Sequence, residues 1–165
     1  MARLRSAPLT LAAAAIAIAA AGQQPEPVRW AVGSAPKSVA AGQLARIQLA
    51  ARIEEGWHLY ALDQPENGPL PTELTAGPAP AFTLRKSDIE SPEPERALDR
   101  NFNVETAWYA ESVVFTLPVK IAPGAAPGAQ TIELRARFQA CNDTLCLRPA
   151  TVTLPVKVTI VKRRR

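Results

Sequence analysis

Two cysteines, Cys141 and Cys146, are the residues of this sequence best placed to do chemistry. They are separated by the mostly polar segment 142–145. Residues that face each other at a non-hydrogen-bonded position of an antiparallel pair have Cα atoms about 4.5 Å apart, which is close to what a disulfide requires. The spacing therefore makes an intrachain disulfide across a short hairpin sterically reasonable.

A disulfide at this position could either stabilise the fold or react. Closing a loop of about six residues stabilises a protein by roughly 2 kcal/mol by a chain-entropy argument, and by less where a hairpin already holds its ends together. A bond that secured a whole sandwich would instead join distant strands across the core. A pair of thiols in an exposed turn can also cycle between dithiol and disulfide with little change elsewhere. From these residues alone, redox cycling and a local staple both remain open.

Other kinds of chemistry find little support in the sequence. One histidine, His58, and two cysteines exclude most zinc sites with several protein ligands. The sequence contains no glycine-rich phosphate loop, no Gly-x-Ser-x-Gly elbow and no His-Glu-x-x-His motif. The adjacent Glu54 and Glu55 are expected to be a solvated strand end. We therefore expect no hydrolase activity, no metal and no cofactor.

The elements that must position the cysteines are predicted to be β-strands. Strong period-two patterns with one apolar face occur at 45–53, 113–121, 132–138 and 152–160, and weaker ones at 28–32, 57–60, 72–75 and 82–86. Prolines and glycines separate these segments, and no helical period is convincing. The pattern predicts an all-β fold, an immunoglobulin-like two-sheet sandwich.

The connections between the predicted strands place the cysteines more closely. A strand pattern enters the cysteine segment over 132–138 and leaves it over 150–161, so both cysteines should lie near the mouth of a β-hairpin with an exposed polar tip. The proline- and glycine-rich segment 123–128 is predicted to be another hairpin connection.

The two ends of the chain have the composition of an export signal and a tail. Arg3 and Arg5 precede a largely apolar stretch at 9–20 and small residues at 19–21, which predicts a signal peptide over residues 1–21. The apolar stretch is shorter than the roughly 20 residues that span a bilayer. We expect a linker at 22–27, one domain at 28–161, a basic tail at 162–165 and a soluble periplasmic product without stable membrane insertion after cleavage. An uncleaved anchor is the alternative.

The net charge of +4 belongs to the ends of the chain rather than to the domain. Arg3, Arg5 and the four residues 162–165 account for six of the 19 basic residues, which leaves 13 against 15 acidic ones, a charge of about −2. We therefore expect no nucleic-acid partner and a solvated basic tail.

Three segments together resemble a known family. They are 56–60 (GWHLY), 101–109 (NFNVETAWY) followed by 117–119 (LPV), and 138–141 (FQAC) continuing to 146–149 (CLRP). In order and spacing they resemble the N-terminal periplasmic domain of the membrane thiol:disulfide interchange protein DsbD, over roughly 28–160. The resemblance implies an immunoglobulin-like domain, a thiol-disulfide oxidoreductase of the protein-disulfide reductase type. Such a domain receives electrons from a membrane-embedded partner and passes them to oxidised periplasmic proteins.

The resemblance also implies residue roles. Cys141 and Cys146 match the family's redox pair, with Cys146 as the thiol that forms mixed disulfides with partners. Phe102 matches an aromatic residue in a loop that caps the pair, and His58 and Tyr60 match aromatic positions beside it. Their period-two spacing independently puts His58 and Tyr60 on one strand face. We expect His58 to be a polar residue at the rim, and a role in proton transfer is the alternative.

The cap is expected to be the segment 99–108, which is mostly polar and lies between predicted strands. Phe102 would shield the sulfurs from stray thiols and oxidants until a partner displaces it.

The sequence departs from the family in two ways. Four residues lie between the cysteines here, against five in some members. The full interchange protein continues into membrane helices and a thioredoxin-like domain, whereas this sequence ends at Arg165. We therefore expect a stand-alone domain that takes electrons from a separate membrane-embedded reductase and delivers them to oxidised periplasmic thiol proteins. The alternative is a secreted immunoglobulin-like binding module in which the cysteines only staple the hairpin.

Overall fold

The computed structural model describes residues 25–162, and its regular structure is almost entirely β-strand. The strands are β1 (Val28–Val32), β2 (Ser38–Ala40), β3 (Leu44–Ile53), β4 (His58–Tyr60), β5 (Glu73–Gly77), β6 (Phe82–Thr83), β7 (Glu95–Asp99), β8 (Val104–Tyr109), β9 (Ser112–Ile121), β10 (Gly128–Phe138), β11 (Ala140–Cys141) and β12 (Ala150–Val161). The predicted signal peptide and the last three residues of the predicted tail lie outside the described residues. Within residues 25–162, no helix is long and apolar enough to cross a membrane.

Two four-stranded sheets form the sandwich, one with the order β1-β3-β9-β6 and the other with the order β2-β12-β10-β5. In the first, the period-two faces of β3 and β9 meet at cross-strand pairs such as Leu49 with Phe115, and both side chains are fully buried. In the second, Ile132 and Leu134 of β10 are equally buried. The apolar alternate residues of the two sheets face each other and are buried between them. This burial of apolar surface is the main stabilising contribution to such a fold.

Trp30 of β1 joins the two sheets at one end of the core. Its ring lies 6.0 Å from that of Phe115 in its own sheet and 5.4 Å from that of Phe138 in the other sheet, measured between centroids. Both distances are within the range of favourable aromatic pairs. The predicted all-β, immunoglobulin-like sandwich is thus confirmed.

A third four-stranded sheet, with the order β11-β4-β8-β7, lies against this sandwich and contains the cysteine segment. The ring of Tyr109, on β8, packs edge-on against Phe115 of the first sheet at 5.7 Å. Because β8 forms part of this sheet, the expectation that 99–108 is a loop between strands is wrong. Asp99 ends β7, β8 begins at Val104, and only residues 100–103 form a loop.

Two smaller predictions also need correction. The segment 123–128 is not a hairpin connection, because β9 and β10 belong to different sheets and the chain crosses the sandwich between them. Proline and glycine mark a change of direction in either case, so composition alone does not distinguish the two. The weak strand predicted at 82–86 ends at Thr83 and is followed by a 3₁₀ helix at Lys86–Asp88.

Candidate functional site

The third sheet has one face on the core and one face that carries polar and aromatic groups. Its core face consists of buried residues from three strands, namely Leu59, Ala107, Tyr109 and Ala140. Because side chains alternate along a strand, the register puts the intervening residues together on the opposite face. At one end Cys141 lies opposite His58, and further along the sheet Tyr60 lies opposite Trp108. Thr106 is two residues before Trp108 on the same strand, and Asp99 lies opposite Val104 at the end of the hairpin.

Cys141 and Cys146 form a disulfide across an isolated antiparallel bridge, with their Cα atoms 4.1 Å apart. The expectation of an exposed pair holds only for the tip of the turn, residues 143–145. Cys141 has no exposed surface because it lies in β11 against β4, whereas Cys146 is only half-buried. The two cysteines therefore differ in how easily a second molecule can reach them.

The turn between the cysteines is held by hydrogen bonds as well as by the disulfide. The side-chain Oδ1 of Asn142 accepts hydrogen bonds from the backbone N–H groups of Thr144 (3.0 Å) and Leu145 (2.8 Å). Outside the turn, the N–H of Leu147 donates to the carbonyl of Ala140 at 2.9 Å. Such an Asx arrangement favours this turn without any covalent bond, so the chain ends that the disulfide joins are also held together by other contacts.

Asp99 is a buried carboxylate, 6% exposed, that organises the polar side of the site. Its Oδ2 accepts a hydrogen bond from the hydroxyl of Tyr60 at 2.6 Å and one from Thr106 at 3.4 Å, and its Oδ1 accepts one from the N–H of Asn101 at 2.8 Å. These donors compensate for the loss of water around the charge. Burial raises the pKa of the Tyr60 phenol far above its ordinary value, and the hydrogen bond to Asp99 raises it further. Tyr60 is thus a protonated donor at every physiological pH.

His58 lies between the disulfide and this carboxylate. Its ring centroid is 5.1 Å from that of Tyr60 and 5.3 Å from that of Trp108, and its Nε2 is 4.0 Å from Oδ2 of Asp99. Burial lowers the pKa of His58, while the nearby carboxylates of Asp99 and Asp143 act in the opposite direction to a smaller extent. The predicted placement of His58 and Tyr60 on one strand face is observed.

The loop at residues 100–103 reaches from the β7–β8 hairpin to the cysteine turn. Asn103 has a positive φ of 55°, which asparagine tolerates better than most residues, and its N–H donates to the carbonyl of Asp99 at 2.7 Å. The side chain of Asn101 donates to the carbonyl of Asn142 at 3.1 Å. Phe102 is half-buried, and its ring meets that of Tyr60 edge-on at 6.1 Å. The loop is thus attached both to the turn and to the aromatic group beside it.

Four residues that shape the site have no individual role predicted from the sequence: Asp99, Thr106, Trp108 and Asn142. The two-residue spacing of Thr106 and Trp108 is a strand signal, but Ala107 and Tyr109, which alternate with them, put apolar or aromatic residues on the other face as well. The pattern therefore does not distinguish the two faces. Asn142 directly after a cysteine is typical of an Asx turn. No local signal marks Asp99, because its partners come from β4, from β8 and from the loop that follows it.

The family model for the N-terminal part of the thiol:disulfide interchange protein DsbD matches residues 28–157. A disulfide-bonded pair on an immunoglobulin-like sandwich, within that match, defines a thiol-disulfide exchange domain. The chain belongs to the DsbD N-terminal domain family.

Two solved structures share the fold at low sequence identity. The DsbD N-terminal domain of Neisseria meningitidis, in its reduced form, is 16% identical with a TM-score of 0.51, and the match covers 76% of this chain and 85% of that one. The N-terminal periplasmic domain of ScsB from Proteus mirabilis is also 16% identical, with a TM-score of 0.52, and the match covers 78% of this chain and 44% of that one. A search among curated proteins gave no match.

Proposed function

We propose that this domain relays electrons between a membrane-embedded thiol-disulfide reductase and oxidised periplasmic proteins through the Cys141/Cys146 pair. In the reduced domain, the Cys146 thiolate attacks the disulfide of a client and forms a mixed disulfide, which releases one client thiol. The Cys141 thiolate then attacks the sulfur of Cys146, and the second client thiol leaves as the domain disulfide forms. The reductase restores the dithiol by the same exchange in the opposite direction.

The unequal burial of the two cysteines is the observation that supports this proposal most. An incoming thiol or disulfide needs a line of approach to the sulfur it attacks. Cys146 is half-buried and follows the exposed tip of the turn, whereas Cys141 has no exposed surface. This favours Cys146 as the exchanging thiol and Cys141 as the thiol that resolves the mixed disulfide.

The hydrogen-bonded turn supports a chemical rather than a purely structural disulfide. Asn142 and the Leu147–Ala140 backbone bond already hold the ends of the turn, so opening the disulfide releases little chain entropy. Tyr60, His58 and Phe102 lie around the pair as site-lining and capping residues in this proposal. The proposed location is the periplasm, after removal of the predicted signal peptide.

Monothiol variants test the assignment of the two cysteines. Cys141→Ser should form a stable mixed disulfide with oxidised glutathione, seen as an added glutathione by intact mass, because the resolving thiol is gone. The matched variant Cys146→Ser should form this adduct much more slowly, because its remaining thiol is buried. Adducts that form equally fast on both variants would refute the assignment.

The relay itself is tested in cells by rapid acid quenching followed by alkylation of free thiols. The pair should be mainly reduced in a host with a membrane-embedded reductase and should shift to the disulfide when that reductase is removed. A pair that stays oxidised in both hosts would favour the binding module, in which the disulfide is only a staple.

A further inference from the structure

Resolution of the mixed disulfide requires a proton to leave a buried group. Cys141 can attack Cys146 only as a thiolate, because the thiol itself is not the nucleophile. Cys141 has no exposed surface. In the disulfide-bonded domain bulk water therefore has no direct contact with this position, which makes a neighbouring group of the protein the nearest acceptor for the proton of Cys141.

The groups that face this position can be compared one by one. On β4, the Tyr60 hydroxyl already donates to Asp99 at 2.6 Å and is protonated. On β7, Asp99 accepts hydrogen bonds from three donors. In the turn, Asp143 lies at the exposed tip. The residues of β8 on this face, Thr106 and Trp108, do not titrate.

His58 is the remaining group, and its position suits the task. It is the direct cross-strand partner of Cys141, and side chains of such pairs project from the same face with Cβ atoms about 4.5–5.5 Å apart. Its Nε2 is buried and has no hydrogen-bond partner among the described residues. Oδ2 of Asp99 lies 4.0 Å from that nitrogen, beyond hydrogen-bond distance, so the charge of the carboxylate rather than a hydrogen bond favours the proton on Nε2 and leaves Nδ1 as the basic nitrogen.

We propose that His58 accepts the proton of Cys141 during resolution of the mixed disulfide and that Asp99 stabilises the imidazolium that forms. This inference rests on the proposed function. The Cys141 thiolate attacks the sulfur of Cys146, the bond between Cys141 and Cys146 forms, and the bond between Cys146 and the client breaks. The client leaves as a thiolate and takes the proton from His58, so that the domain is oxidised, the client is reduced, and His58 is neutral again.

The pKa of His58 is consistent with this cycle. Burial holds it below its ordinary value of 6.5, so the imidazole is neutral and able to accept a proton at pH 7. Asp99 and Asp143 act to raise it. With His58 as the base, the resolution rate should therefore be nearly constant above pH 6.5. Without a base, the rate would follow ionisation of the thiol and would continue to rise up to about pH 8.5, the ordinary thiol pKa.

Stopped-flow reaction of the reduced protein with dithiobis(nitrobenzoate) separates the two steps. The first nitrothiobenzoate reports attack by Cys146, and the second reports resolution by Cys141. His58→Gln and His58→Tyr should each slow the second phase at least about tenfold at pH 7, since general-base catalysis is commonly worth about 10²-fold or more. Both should move its pH dependence upward toward the thiol pKa and leave the first phase unchanged.

Two results of the same experiment would contradict the proposed role of His58. A second phase in His58→Gln with the wild-type rate and pH profile would overturn the inference. Restoration of both by His58→Tyr would also overturn it, because tyrosine supplies a packed ring but no base at pH 7. A wild-type protein that releases the first nitrothiobenzoate without the second would instead refute the proposed function.

Discussion

Phe102 offers the most direct test of whether the loop at residues 100–103 protects the cysteine pair. The prediction concerns Phe102→Ala in the reduced protein, where iodoacetamide reacts with the more accessible thiol, that of the half-buried Cys146. Phe102 packs edge-on against Tyr60 and is half-buried, and it is not part of the buried core of the sandwich. The variant should therefore fold normally while the loop opens more often.

The size of the effect follows from the burial of one ring. Full burial of a phenylalanine is worth about 1.5–3 kcal/mol, and partial burial puts Phe102 at the lower end. The bond from Asn101 to Asn142 remains in the variant, so only the contribution of the ring is lost. About 1.4 kcal/mol corresponds to a tenfold change in the population of the open loop. The alkylation rate should rise about tenfold.

Leu98→Ala is the matched control. Leu98 lies on β7 of the same hairpin but is 64% exposed, so removing it changes an apolar side chain without uncovering the site. Its alkylation rate should stay within about twofold of the wild type, because little apolar area is lost. The rates should be measured across pH, so that a change in thiol pKa is separated from a change in access. A wild-type rate in folded Phe102→Ala would refute capping by this ring.

Three further predictions concern the groups around the pair. His58 is the only histidine in the sequence, so its NMR titration is unambiguous, and its pKa should be below 6.5. Asp99→Asn should lower the pKa of His58 further, because the Asp99 carboxylate acts to raise it. The control Asp88→Asn, which removes a carboxylate paired with Arg85, should leave the pKa of His58 unchanged. Because the folded pKa is the lower one, the unfolded chain binds the proton more readily. The free energy of unfolding should thus decrease as pH falls below about 6.5, and less so in His58→Tyr; equal slopes would contradict burial of a neutral imidazole. Burial raises the pKa of both tyrosines, Tyr60 and Tyr109, so tyrosinate absorbance should appear only above pH 10 in the folded protein and near 10 in denaturant.

The sandwich could be predicted from sequence because its strands obey one rule over many residues. The alternate residues from Ala45 to Ile53 and from Val113 to Ile121 are apolar and buried, and the residues between them are mostly polar or exposed. Such strands have a core on one side and water on the other, which gives a clean period of two. The strands predicted there match β3 and β9 closely.

Of the third sheet, only β4 falls in a predicted strand, at 57–60. The strands β7, β8 and β11 were not predicted because none of them alternates regularly between buried and exposed residues. In β8, Thr106 faces the site while Ala107 and Tyr109 face the core, and all three are buried. The short strands β7 and β11 depend on partners that are distant in the chain, such as His58 for Cys141. Residue types therefore singled out the cysteines, and the family resemblance added His58, Tyr60 and Phe102. Neither pointed to Asp99, whose carboxylate accepts a hydrogen bond from Tyr60 and lies beside His58.

The reduction potential of the Cys141/Cys146 pair tests the central claim most directly. It is measured by equilibrating the protein in a series of thiol–disulfide buffers, quenching with acid and counting alkylated thiols by mass. A pair that exchanges electrons with clients should have a potential above about −300 mV, and the protein should remain folded when the pair is reduced. A potential below that value, or unfolding on reduction, would show that the disulfide is a structural staple.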